Sequence, residues 1–191
     1  MEEVYKHAKT KRILRSREPP GESVILSEPS LLMEILFLLG KIAAVLIVML
    51  LGFTFMFGLC RNMDASMTPA VKDGDLVIFY RLDKNYVADD TLVLEFEGKK
   101  QVRRVIATAG DIVDITEEGL FINGALQQET KIYVPTQRYE GGAEFPLTVR
   151  EGQVFVLGDS RVNATDSRIY GAVDMKDTLG KVIAILRRRA I

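Results

Sequence analysis

Residues 42 to 60, IAAVLIVMLLGFTFMFGLC, carry no charged side chain over 19 positions. At a helical rise of ~1.5 Å per residue such a run spans roughly 28 Å, the thickness of a bilayer's hydrocarbon core. No polar stripe recurs in it at the helical period, as it would in a helix buried on one face of a soluble domain. A cleavable secretory leader would have a shorter apolar stretch, about 7 to 15 residues, ending in a small-x-small site. The pattern predicts a retained transmembrane helix. Leu31 to Gly40, apolar apart from Glu34, either extends that helix inward or lies along the interface.

Beyond residue 61 the period shortens to that of strands. DLVIFYRL, TLVLEFEG, QVRRVIATAG, DIVDIT, GLFING, QVFVLGD and GKVIAILRR are the strand candidates, with Gly-Asp or Asn-Gly turn signals at 74–75, 110–111, 123–124 and 158–159. The stretch from Gln128 to Glu151, with two prolines and a Gly-Gly pair, reads as a long connection or small lobe. The expected fold is mainly β: a partly closed barrel or sandwich on one N-terminal transmembrane helix. The expected organisation is a basic tail over 1–30, a transmembrane region over 31–60 and a β-rich domain over 61–191.

Charge orients the chain. Six Lys or Arg lie in residues 1 to 30 and Lys41 stands at the helix entrance, whereas only Arg61 follows the exit directly. By the positive-inside rule the N-terminus is cytoplasmic and the β-rich part extracytoplasmic, in a cell membrane. Twenty-five basic residues against 26 acidic ones leave a net charge of −1, so no broad electrostatic footprint for nucleic acid is expected. The single cysteine, Cys60, has no thiol to pair with inside the chain. Leu59 before it spoils a lipid-attachment signal, which leaves a lipid-facing structural thiol. The C-terminal RRRAI reads as the solvated end of a strand.

The only histidine, His7, is in the tail, so the outer domain cannot build a Ser-His-Asp triad, a Cys-His pair or a His-ligated zinc site. A serine nucleophile there would need lysine, or something less usual, as its base. Lysine can serve because burial lowers its pKa toward neutrality.

Three segments carry a family resemblance. ASMTPAVKDGDLVIFYR resembles the nucleophile segment of type I signal peptidases, Ser-Met-x-Pro followed by Gly-Asp and a strand. RRVIATAGDIVDI resembles their second segment, and VLGDSRVNATDSRIYGAV their third. Order, spacing and anchor agree over essentially the whole outer domain. The resemblance implies a membrane-bound serine endopeptidase of the Ser/Lys dyad type, without metal or cofactor, that removes signal peptides of exported proteins after small residues. It implies Ser66 as nucleophile, Met67 packed beneath it, and Asp159, Arg161, Asp166 and Arg168 as the scaffold of the site. It also implies an extended client strand laid along Asn62, Met63 and Asp64 on one side and Gln101 and Val102 on the other.

The pattern breaks where the base should be. Seven residues before Gly110 stands Arg103, not lysine, and a guanidinium has no free lone pair at working pH. Ala164, beside Thr165, replaces the serine that orients the lysine, and Ser160 replaces an Asn. Asp64 stands where some members place an oxyanion-hole hydroxyl; it would repel an oxyanion or pair with Arg103. Three readings stay open. Arg103, or a shifted lysine from Lys99 and Lys100, supplies the electrostatics while water or Asp64 takes the proton. Alternatively the chain binds extended polypeptide as a docking protein or chaperone for secreted or pilus subunits and cleaves poorly or not at all. In the third, the arginine is a local peculiarity. Losing the base would raise the barrier by roughly 3 to 5 kcal/mol, about 10² to 10⁴ in rate.

Overall fold

The computed structural model describes residues 30–129, 132 and 134–187. The basic tail with His7, and the last four residues of the C-terminal basic run, lie outside the described residues.

Helix α1 (Leu31–Met56) takes in both the apolar run and the stretch before it, so residues 31–41 are helical. Its 26 residues are apolar enough to cross a membrane and none of them is buried. At ~1.5 Å per residue it is about 39 Å long. The helix stops four residues short of the end of the uncharged run. Phe57 to Cys60, expected as helix, instead open strand β1 (Phe57–Arg61). The cause is pairing that hydropathy cannot display: β1 runs antiparallel to β2 (Leu76–Tyr80), and Arg81 N–H donates to Met56 O at 2.9 Å. Cys60 therefore faces the protein and not lipid; it is buried against Met67, Val77 and Phe79, and burial pushes its thiol up from its ordinary value.

The remaining strands are β3 (Thr91–Phe96), β4 (Lys99–Thr108), β5 (Ile112–Thr116), β6 (Gly119–Ile122), β7 (Ala125–Leu126), β8 (Leu147–Thr148), β9 (Gln153–Leu157), β10 (Val173–Asp174) and β11 (Thr178–Leu186). A one-turn helix, α2 (Ser167–Tyr170), follows β9. The strands form a seven-stranded sheet, β1-β2-β11-β3-β4-β9-β10, and a four-stranded one, β7-β6-β5-β8. Among the described residues all the pairings are antiparallel, and no closed barrel forms.

Both faces of the larger sheet are covered at its centre, which is why β3 and β9 read as nearly unbroken apolar runs. On β3, Val93 joins the cluster of Met67, Val71, Val77, Phe79 and Val102, whereas Leu92 and Leu94 join Tyr86, Val105, Val154 and Val156. On β9, Phe155 and Leu157 turn to the smaller sheet and pack with Ala107, Val113, Ile115 and Leu120. The register of β11 slips at Gly180, whose φ of 148° and close approach to Tyr80 O leave no room for a Cβ.

Two features of this layout position a site. The chain between β1 and β2 folds into a closed loop, because Asn62 N–H donates to Asp75 O at 2.8 Å and Gly74 N–H to Asn62 O at 2.9 Å. In addition, β4 pairs with β3 from Lys99 to Arg104 but with β9 only from Arg104 onward. One edge of residues 99–103 is therefore left without a strand.

Candidate active site

The loop holding Ser66 is fastened by Asn62. Its Nδ2 donates to Asp64 O at 2.7 Å and to Lys72 O at 3.1 Å. With its backbone N–H donating to Asp75 O and its C=O accepting from Gly74 N–H, Asn62 closes the loop. Met63 is exposed. The turn continues with Thr68 N–H donating to Ala65 O and Val71 N–H to Met67 O, which drives Met67 into the core.

Ser66 is 1 % exposed, as is Arg103. Arg103 Nη1 donates to Ser66 Oγ at 2.6 Å, so the serine and the residue at the expected base position meet. Arginine only donates, hence Ser66 Oγ accepts there and sends its own proton elsewhere. Its acceptor is Asp64 Oδ1 at 2.5 Å. The same oxygen accepts the Ser66 backbone N–H at 3.2 Å, and Asp64 Oδ2 faces Arg103 Nη2 at 3.4 Å. Asp64 thus pairs with Arg103, one of the two outcomes its position suggested.

The rest of the guanidinium is satisfied by main-chain oxygens. Nε and Nη2 donate to Thr165 O at 3.0 and 2.8 Å, and Nη1 to Val102 O at 2.6 Å. This accounts for Ala164: the longer arginine is oriented by the Thr165 carbonyl, so no hydroxyl is required at 164. Ala164 Cβ fills the space beside Gly158, where a Cβ would meet both Ala164 and Ser66 O. Ser160 N–H donates to Ser66 O at 2.8 Å, tying the third segment to the loop that holds Ser66.

Arg161, Asp166 and Arg168 form a hydrogen-bonded group around Gly158, the residue that abuts Ser66, while Asp159 binds Arg104 separately. Asp166 accepts from Gly158 N–H at 3.0 Å and pairs with Arg168 at 2.8 Å. Arg168 Nη2 donates to Arg161 O at 2.7 Å, and Arg161 Nε to Gly158 O at 2.9 Å. Asp159 binds Arg104 through two 2.7 Å hydrogen bonds, which hold the Arg104 guanidinium above its ordinary pKa. Buried ions of this kind are tolerated because each finds a partner and filled lone pairs.

Residues that sequence reasoning missed include Arg104; Glu129, which pairs with Arg161 at 2.6 Å; and Tyr139, whose ring lies 4.7 Å from the Arg168 guanidinium carbon. The adjacent arginines at 103 and 104 were a usable signal, because neighbours on a strand point to opposite faces and need separate anions. Glu129 and Tyr139 sit in the long connection and gave none.

Gln101 and Val102 are buried on the half of β4 whose edge lacks a strand, while Lys99 and Lys100 are exposed at its start. Among the described residues neither lysine makes a hydrogen bond or ion pair with Ser66. Among the described residues, the buried atoms Gln101 Oε1 and Tyr170 Oη have no hydrogen-bond partner within the usual limits. Burial raises the Tyr170 phenol above its ordinary pKa, and the nearby Arg103 opposes that rise. An anion-pairing cation, a buried hydroxyl hydrogen-bonded to a carboxylate, and an open strand edge together suit nucleophilic attack on an extended peptide.

Comparison with known proteins gives the chain's family. A family described as signal peptidase, peptidase S26, matches residues 35–187. Signal peptidase I of Bacillus licheniformis is 32 % identical over 154 residues, covering 73 % of this chain and 80 % of that one. Signal peptidase I P of Bacillus subtilis subsp. natto is 30 % identical over 154 residues, 73 % of this chain and 83 % of that one. The chloroplastic thylakoidal processing peptidase 1 of Arabidopsis thaliana is 33 % identical over 134 residues, 62 % of this chain but 38 % of that longer protein. A crystal structure of a signal peptidase I from Enterococcus faecalis V583 aligns with a TM-score of 0.43 at 26 % identity, over 52 % of this chain and 97 % of that one. With the family match extending from within α1 to the end of β11, this chain belongs to the signal peptidase family, peptidase S26.

Proposed function

We propose that the chain is a membrane-anchored serine endopeptidase that removes signal peptides from exported proteins, cutting after small residues, with Ser66 as the nucleophile. The observation that carries this reading is the buried Ser66 hydroxyl, held between a carboxylate and a guanidinium beside the unpaired edge of β4. The client lies extended along Gln101 and Val102 on one side and Met63 and Asp64 on the other, bound through its backbone. Met67 supports the loop from below, and Asp159, Arg161, Asp166 and Arg168 fix the third segment. Helix α1 spans the cell membrane once, with the N-terminus cytoplasmic and the catalytic domain extracytoplasmic, where secretion delivers the substrate.

The test uses full-length protein in detergent and a peptide spanning an Ala-x-Ala site. Cleavage by wild type, abolished by Ser66→Ala, supports the reading; equal cleavage by both refutes it. A second reading, a docking protein for secreted or pilus subunits, is favoured by Arg103 together with Ala164. It expects the peptide to bind both proteins without being cut, and activity to be gained when Arg103→Lys is combined with Ala164→Ser.

A further inference from the structure

We propose that the two polar partners of Ser66 have exchanged roles relative to a serine–lysine dyad: Asp64 takes the Ser66 proton, and Arg103 holds the oxyanion. This rests on the endopeptidase reading above and assigns its acid–base chemistry.

The hydrogen bonds fix the direction of proton transfer. Arg103 Nη1, at 2.6 Å, can only donate to Ser66 Oγ, so the hydroxyl proton points to Asp64 Oδ1 at 2.5 Å. That oxygen is held there by the Ser66 N–H, while Oδ2 rests against the guanidinium at 3.4 Å. The carboxylate is pre-positioned by contacts at both ends. Its side chain is 40 % exposed, so it can also meet an entering peptide or water.

Anion stabilisation follows from the same contacts. The Ser66 N–H is already committed to Asp64, and a carboxylate cannot donate to a developing oxyanion. The oxyanion is bonded to the carbon that Oγ attacks and is therefore only one O–C–O angle away from Oγ. One Nη1 hydrogen of Arg103 stays on Val102 O, and the other, on Ser66 Oγ in the resting site, passes to the oxyanion once Oγ bonds to carbon; the guanidinium is 1 % exposed, so water weakens that bond little. During attack, negative charge leaves the Asp64 carboxylate and appears on the oxyanion, both beside one cation that moves little. The net charge of the site stays constant, so little dielectric penalty arises.

The steps balance. Ser66 Oγ bonds to the scissile carbonyl carbon as its proton passes to Asp64, and the carbonyl π pair becomes the oxyanion. As the intermediate collapses the C–N bond breaks, and Asp64 returns the proton to the leaving amine. Water then attacks the ester and gives a proton to Asp64; collapse releases the new C-terminus, and Ser66 Oγ recovers that proton.

The experiment measures peptide cleavage by wild type, Asp64→Asn, Asp64→Gly and Arg103→Lys in detergent. Asparagine keeps the shape and the Oδ1 acceptor but cannot take a proton; kcat should fall by about 10² to 10⁴ with KM changed less than about threefold. Formate should restore activity to Asp64→Gly in proportion to its concentration, a response that a structural role would not give. Arg103→Lys, which loses the planar fork, should be slower than wild type. Asp64→Asn cleaving as fast as or faster than wild type, as expected of a carboxylate that merely crowds the oxyanion, would overturn the exchange and leave the endopeptidase reading intact. So would Asp64→Gly that formate does not rescue. A wild type that never cleaves overturns both.

Discussion

Gly158→Ala tests the contact that places Ser66. A methyl group on residue 158 would sit 2.6 Å from Ser66 O and would also collide with Ala164 Cβ. Ordinary contact begins near 3.4 Å, so the Ser66 carbonyl must retreat by about 0.8 Å or the β9–α2 connection must open by as much. Neither neighbour is the free end of a flexible side chain. Ser66 O also accepts the Ser160 N–H at 2.8 Å, a bond that a retreat would stretch. Overpacking of this size costs about 1 to 3 kcal/mol. A displacement approaching 1 Å at a reacting group costs roughly 10² in rate. Urea unfolding followed by far-UV circular dichroism gives the first quantity, and peptide cleavage at saturating substrate gives the second. A variant with the wild-type urea midpoint and wild-type kcat would refute the placement of Ser66 against Gly158.

Other consequences are as direct. Arg103→Met leaves the Thr165 and Val102 carbonyls without their donor and should lower stability by about 2 to 5 kcal/mol in urea; a loss under about 1 kcal/mol would mean that the guanidinium is not buried there. The Thr108 backbone N–H holds the Asp111 carboxyl below its ordinary value, aided by the Asn123 amide and the Thr108 hydroxyl. Its contribution is full above the unfolded value of ~3.9 and is lost as pH falls through the lower folded one, so Asp111→Asn should flatten the acid side of the stability profile; an unchanged acid slope would count against it. Tyr170 is raised by burial, so its contribution is present below ~10 and lost at higher pH. Tyr170→Phe should flatten the alkaline side, since phenylalanine has no proton to lose. An unaltered alkaline limb would contradict that.

Strands with a face or a turn signal of their own were legible. All seven candidates are strands, because alternation and Gly-Asp punctuation are local properties. The β1 strand was not, since FGLC is apolar like the helix before it and becomes a strand only by pairing with β2, about twenty residues later. The two-residue strands at Ala125, Leu147 and Val173 are too short to show a period. At the site, the meeting of Ser66 with Arg103 and of Asp64 with Arg103 followed from aligned segments and opposite charge. Which atom faces which did not. Thr165 supplies a backbone oxygen that its side-chain identity does not announce, and Asn62 turns out to be the fastener of the loop because its amide reaches Lys72 O, ten positions on.

The most direct measurement is intact and peptide-level mass spectrometry of the full-length protein, acid-quenched within milliseconds of mixing with an Ala-x-Ala ester substrate. The expected result is a transient acyl adduct on Ser66 of wild type and none on Ser66→Ala. Turnover of the ester by Ser66→Ala at the wild-type rate, or an adduct on any other residue, would contradict Ser66 as the nucleophile.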